Sequence, residues 1–98
     1  MDFRISFTLE ASGQSDQIVN YLKVNWSEKI AKEFLVKINS KLNFIKEFPF
    51  LYHLTEYRAG VRKCVVAKQV SLYYEIKKDS IIILSVYDTR QSPENLKV

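Results

Sequence analysis

Cysteine is nearly missing from this chain, and so are the residues that usually break or bend a backbone. The 98 residues include one Cys, two Gly, two Pro and one His. A lone cysteine, Cys64, cannot close an internal disulfide, so a reducing cytoplasmic setting is expected and Cys64 reads as a small packed strand residue. A lone histidine, His53, with no cysteine near it, gives no zinc spacing, and no metal or cofactor is expected. Two glycines leave no material for a phosphate-cradling loop, and neither a nucleotide-binding fingerprint nor a Ser/His/Asp set is found. No apolar run approaches the roughly 18 residues of a membrane span. The opening MDFRISF lacks the basic-then-apolar build of a secretory leader, so no membrane partner is expected.

What the chain does have is apolar residues, 47% of the total, with 13% aromatics. That content is globular rather than disordered, and the length fits one domain with one core, residues 1–98. The formal charge is +4 with a pI near 9.2. A basic balance of that size suits a polyanion or an acidic protein, and a plain solvated basic surface produces the same number.

Hydrophobic spacing divides the chain. Phe3, Ile5 and Phe7 alternate with Arg4, Ser6 and Thr8, which predicts a half-buried strand over Phe3–Thr8. A helix is predicted from about Ser12 or Ser15 to Val24, with Ile18, Tyr21 and Leu22 as its apolar stripe and Val19 beside them. Ser27 suits an N-cap, with Trp26 before it as half of a hydrophobic staple. The second helix is predicted from Ser27 to Phe48 on Ile30, Phe34, Ile38, Leu42 and Ile45, supported by Ala31 and Leu35. Pro49 stops it. The two helices form a hairpin, and an aromatic-rich loop follows to Gly60.

Val61 to Ala67, Val70 to Ile76 and Ile81 to Asp88 are β-branched and aromatic runs joined by tight reversals, as in an antiparallel meander. The expected fold is α+β: strand–helix–helix–three-strand meander, with the helical hairpin on one face of a four-stranded sheet. Ile81–Leu84, apolar on both sides, predicts a central strand. Parity assigns Val61, Val65, Val70, Leu72, Tyr74, Ile76, Ile82, Leu84 and Val86 to the helix face. It assigns Arg62, Cys64, Val66, Tyr73, Ile83, Ser85 and Tyr87 to the open face, with Lys68 and Arg90 at strand ends. Arginine grips phosphate through a bidentate fork, and tyrosine stacks on a base or moves a proton. Such a face suggests RNA cleavage: Arg62 and Arg90 supply charge to a phosphorane, Tyr87 or Tyr73 serves as acid, and Lys68 or Glu47 as base.

The order of these runs, and their motifs, resemble the RelE/ParE toxin superfamily of bacterial type II toxin–antitoxin systems, also labelled plasmid stabilisation proteins. The resemblance spans nearly the whole chain. It rests on Trp26-Ser27-Glu28-Lys29-Ile30-Ala31, Phe48-Pro49, Val61-Arg62-Lys63, Leu72-Tyr73-Tyr74-Glu75-Ile76 and Asp88-Thr89-Arg90-Gln91-Ser92-Pro93. It implies a toxin held by a cognate antitoxin in a hetero-oligomer. RelE-like members are ribosome-dependent endoribonucleases that cut mRNA, and that is the expected activity. ParE-like members instead poison DNA gyrase, and an inactive toxin acting mainly as antitoxin partner and co-repressor is a further alternative. By the same resemblance Arg62 and Arg90 are expected catalytic residues, and Lys63 and Lys68 loosely match lysines of the ParE side; the open-face reading adds Tyr87 to the expected catalytic set and makes Lys63, Lys68 and Tyr73 the expected RNA-binding residues. Two features depart from the ribonuclease branch: no tyrosine or histidine follows Tyr87, and the second helix is long, as on the ParE side.

Overall fold

A computed structural model describes residues 3–89. The elements run β1 (Arg4–Phe7), α1 (Leu9–Asn25), α2 (Glu28–Glu47), β2 (Val61–Ala67), β3 (Val70–Lys77) and β4 (Ser80–Asp88). The sheet has four strands in the order β1-β4-β3-β2. The last three strands form the antiparallel meander, and β1 joins β4 in parallel. The central position of β4 follows from its apolar run on both sides.

The first helix begins at Leu9, three residues before Ser12 and six before Ser15, the starts its spacing suggests. Thr8 leaves the strand to act as N-cap, its hydroxyl accepting from the Ala11 N–H at 3.1 Å. Ala11, fully buried, starts the packed face, and the helix runs through Gly13, where the apolar spacing is silent. The second helix matches its pattern more closely. Ser27 caps it, accepting from the Ile30 N–H at 3.1 Å, and Ala31, Phe34, Ile38 and Ile45 are its buried residues. Trp26, in contrast, stands 70% exposed. The core lies between the helices and one sheet face and includes Cys64, Val66, Leu72, Tyr74, Ile81, Ile83 and Val86.

Two bulges break side-chain parity. In β4 the register steps from Tyr73↔Ser85 to Tyr74↔Ile83, leaving Leu84 without a partner. The first turns of α1 satisfy the displaced backbone. The Thr8 hydroxyl donates to the Leu84 carbonyl at 3.3 Å, and the Gln14 side-chain oxygen accepts from the Val86 N–H at 2.8 Å and the Ser85 hydroxyl at 3.1 Å. Ile81 and Ile83 therefore join the helix-side core while Leu84 packs with the open-face cluster, the reverse of the parity expectation for Ile83 and Leu84. Ser85, expected on the open face, reaches α1 instead. In β2 the register slips between Val65 and Ala67.

Strand β2 also carries the opposite parity to the one expected. Cys64 and Val66 enter the helix-side core, whereas Val61 packs with Tyr73 and Tyr87 on the other face and Val65 is 54% exposed. A strand apolar at positions 61, 64, 65 and 66 gives parity nothing to choose by. The loop that covers the helix side decides it.

Candidate interaction face

The inverted strand moves Arg62 off the open face. It shares a register position with Tyr74, whose ring is in the helix-side core, and its guanidinium serves the α2–β2 loop. Nη1 donates to the Phe50 carbonyl at 3.2 Å and to the Tyr52 carbonyl at 2.6 Å, and the guanidinium carbon lies 5.4 Å from the centre of the Phe50 ring. Next to it, the Tyr74 hydroxyl donates to the Pro49 carbonyl at 2.7 Å. A charged donor on two carbonyls and a buried phenol on a third hold the start of the loop.

The loop then turns over the outer edge of β2. Lys63 N–H donates to the His53 carbonyl, Thr55 N–H donates to the Val61 carbonyl, and Leu54 forms a one-residue antiparallel bridge with Arg62. Past that edge the loop lies on the open face. There Arg58 pairs with Glu75 at 2.5 Å and Tyr57 sets its ring edge-on to Tyr73, with centroids 6.1 Å apart. Gly60, at φ 81°, returns the chain into β2, a backbone conformation a side chain would strain.

The open face is built on tyrosine. Tyr57, Tyr73 and Tyr87 form an edge-to-face series, the second step spanning 6.5 Å between centroids. Val61 and Leu84 pack beside them, and Lys63, exposed, shares the register row of Tyr73. Of the residues singled out from sequence, Tyr73, Tyr87 and Lys63 are therefore together on this face. Lys68 is in the β2–β3 turn, lining a recess with Trp26, Ile30 and Phe34 beside the helices. Glu47 ends α2 on the other side of the sheet. Arg90 lies outside the described residues.

The phenols are poorly disposed for acid chemistry near neutral pH. Burial pushes Tyr73 up, aided by Tyr57 and Tyr87, and burial likewise pushes Tyr87 up, aided by Tyr57 and Asp88. Tyr52 rises to about 12, first through burial and then through its hydrogen bond to Cys64. A general acid works best with its pKa drawn toward the operating pH, and these shifts run away from it. The Cys64 thiol is also pushed up, because burial outweighs the Tyr52 hydrogen bond and the Lys41 charge, so it is an inert packed thiol. Among the described residues, no cluster of His, Cys, Asp and Glu could hold a metal ion, and no helix is long and apolar enough to cross a membrane.

Sequence reasoning missed two contributors to this geometry. Arg58 forms the shortest ion pair among the described residues, with Glu75, and its sequence context, between an aromatic and an alanine, offers no signal. Gln14 is equally silent, because a glutamine in a helix gives no hint that it patches a bulge. The aromatic richness of the loop was the one visible clue that it would be packed down.

The fold has close counterparts among solved structures. The chromosomal ParDE toxin–antitoxin system from P. aeruginosa contains a chain that superposes with a TM-score of 0.75 at 17% identity, over 88% of this chain and 95% of that one. The YoeB dimer from Staphylococcus aureus gives 0.63 at 20% identity, over 89% and 97%. The DinJ–YafQ toxin–antitoxin complex of E. coli gives 0.62 at 10% identity, over 92% and 96%. At these identities the likeness concerns the fold. No curated protein matches the sequence. The family described as the ParE toxin of the type II toxin–antitoxin system parDE matches across residues 5–93, nearly the whole chain. With the helical hairpin and the meander inside that span and the first strand starting one residue before it, the chain belongs to the ParE toxin family of type II toxin–antitoxin systems.

Proposed function

We propose that this chain is a toxin that acts in the cytoplasm by binding a macromolecular target, DNA gyrase, and that a cognate antitoxin neutralises it. The observation that carries the binding reading is the position of Arg62. Its guanidinium is engaged by two loop carbonyls and an aromatic ring on the helix side of the sheet, away from the tyrosines that would have to work with it. The upward pKa shifts of Tyr73 and Tyr87 fit the same reading, since they move both phenols further from the near-neutral pKa that favours acid–base work. The match to the ParE toxin family supports gyrase as the target. Structural counterparts that include the DinJ–YafQ and YoeB–YefM complexes support an antitoxin partner, and the +4 charge suits an acidic one.

Ribosome-dependent mRNA cleavage is the second reading. The exposed Lys63 beside the rings of Tyr57 and Tyr73 favours it, since aromatic edges next to a cation suit a nucleic-acid strand. Expression of the chain alone in a bacterium separates the two. The binding reading expects growth arrest with a DNA-damage response, altered supercoiling and full-length mRNA. Shortened mRNA without DNA damage would establish the ribonuclease reading instead, and undisturbed growth would point to an inactive toxin that serves its antitoxin as co-repressor.

A further inference from the structure

Trp26 does not do the packing that its position suggests. It precedes the N-cap Ser27, and a hydrophobic staple would set it against the fourth helical residue, Ala31. Ala31 is fully buried and offers only a methyl group, and the indole stands 70% exposed. The backbone beneath the ring is nevertheless closed. The Trp26 N–H donates to the Leu22 carbonyl at 3.0 Å, and the Asn25 side-chain amide donates to the Tyr21 carbonyl at 3.0 Å. A large aromatic ring is thus held toward solvent on a hydrogen-bonded mount.

The ring lines the recess between the helical hairpin and the β2–β3 turn, a space of about 370 Å³. Tyr21, Ile30 and Phe34 make its wall apolar. Its remaining lining is polar. Lys68 and Gln69 come from the turn, which the Thr89 N–H ties down by donating to the Gln69 carbonyl at 2.7 Å. Glu33 and Lys37 come from α2, one helical turn apart, and all of these polar side chains are exposed. The charge continues along the helix. Lys29 and Lys32 share the outer face of α2 with Glu33 and Lys37, so Lys29, Lys32, Lys37 and Lys68 stand against Glu28 and Glu33.

An exposed ring accepts any base by stacking, because every base has a π-face. Ammonium groups beside the ring and along the helix suit successive phosphates. Glutamate accepts from the exocyclic amine of a base and a glutamine amide pairs with a base edge, so Glu33 and Gln69 also suit such an occupant. The same Glu33 repels the carboxylates of an acidic polypeptide. We propose that this recess binds single-stranded nucleic acid, one base stacking on Trp26 while neighbouring phosphates lie on Lys37, Lys68 and the lysines of α2. The site is separate from the tyrosine face, and the inference goes beyond the reading above without resting on it.

Trp26 is the only tryptophan of the chain, so its fluorescence reports on this site alone. The whole chain is titrated with oligothymidine, with an abasic deoxyribose-phosphate strand of the same length, with thymidine monophosphate and with polyglutamate. Oligothymidine is expected to quench Trp26, and the abasic strand to leave its emission nearly unchanged. Anisotropy of a labelled oligothymidine then compares variants. Trp26→Ala should weaken binding about fivefold to a hundredfold, and Trp26→Phe, which keeps a ring, distinctly less. Lys37→Gln and Lys68→Gln should each flatten the slope of log affinity against log salt by about 0.7. Trp26 left unquenched by oligothymidine overturns the proposal. Equal quenching by polyglutamate also overturns it, by making the recess a polypeptide site. So does equal quenching by thymidine monophosphate at the same nucleotide concentration, which would reduce it to a mononucleotide site. Binding lost in Lys63→Gln but kept in Trp26→Ala and Lys37→Gln would move the strand to the tyrosine face and overturn it too. The quenching measurement uses the unaltered chain, so it decides the matter even if a variant fails to fold.

Discussion

The two faces of the sheet carry neighbouring tyrosines that do different work. Tyr74 points to the helices, fully buried, and spends its hydroxyl on the Pro49 carbonyl. Tyr73, 2% exposed on the opposite face, is held by rings, with Tyr57 on one side and Tyr87 on the other. The helix face is therefore closed by core packing together with polar bonds to the loop, and the open face by aromatic edges. The lesson concerns the loop as much as the sheet. Residues 49–60 run from one face to the other over the β2 edge, and each face fastens the segment with its own chemistry. Arg62 and Tyr74 hold the start, and Tyr57 and Arg58 hold the end.

The largest expected effect comes from the helix face. Leu72 is fully buried in the main core, and Leu72→Ala should cost about 2–5 kcal/mol in chemical denaturation. Val65→Ala on the other face removes a half-exposed side chain and should stay within about 0.5 kcal/mol. Equal losses would mean that the open face is part of the same core. Next in size is Arg62→Ala, which releases two carbonyls from a charged donor and should cost about 1.5–3 kcal/mol. Accelerated proteolysis within residues 49–60 would mark the released loop. Loss of toxicity with no change in stability or cleavage would instead give Arg62 a direct role at the target.

The error over Arg62 explains how much could be read from sequence. Element order, the bounds of β2, the central place of β4 and the cap at Ser27 follow from spacing and turn chemistry, and all are observed. Face assignment fails in the two strands that are apolar on both sides. In β2, valines at 61, 65 and 66 with Cys64 between them suit either parity, and placing Val61 and Val65 on the helix face turns Arg62 outward. Folded, that charge is satisfied by carbonyls of a loop whose path no local pattern reveals. In β4 the bulge at Leu84 flips the parity midway, and the groups that permit it, Thr8 and Gln14, are about 70 residues upstream. Long-range polar repair leaves no periodic trace. The same limit applies to the tyrosine series. Tyr73 and Tyr87 are assigned to the right face, but only the folded loop brings Tyr57 to them.

The paired tyrosines sharpen the comparison at the level of a single oxygen atom. Tyr74→Phe leaves the buried Pro49 carbonyl without its donor and should cost about 1–2 kcal/mol. Tyr73→Phe keeps the ring geometry and should cost distinctly less by the same denaturation measurement. A Tyr73→Phe loss as large as that of Tyr74→Phe would mean that the open-face hydroxyl is as firmly engaged as the other, and the contrast between bonded and stacked tyrosines would collapse.

The smallest effect at neutral pH belongs to Tyr52, and it becomes visible only in alkali. Its pKa rises from the ordinary 10.0 to about 12, chiefly because burial disfavours the phenolate and then because its proton is shared with Cys64. The folded chain therefore holds that proton more tightly than the unfolded chain. By linkage, the corresponding stability is fully present below pH 10 and drains away as pH rises from 10 toward 12. Tyr73, Tyr74 and Tyr87 are shifted in the same direction, so the fall in this window is a property of both faces. Tyr52→Phe removes one share of it. Its melting temperature should change little at neutral pH and decline less steeply than that of the parent chain above pH 10. Parallel curves for the two proteins would place the Tyr52 hydroxyl in water, and the loop would then be fastened on the helix side by Arg62 and Tyr74 alone.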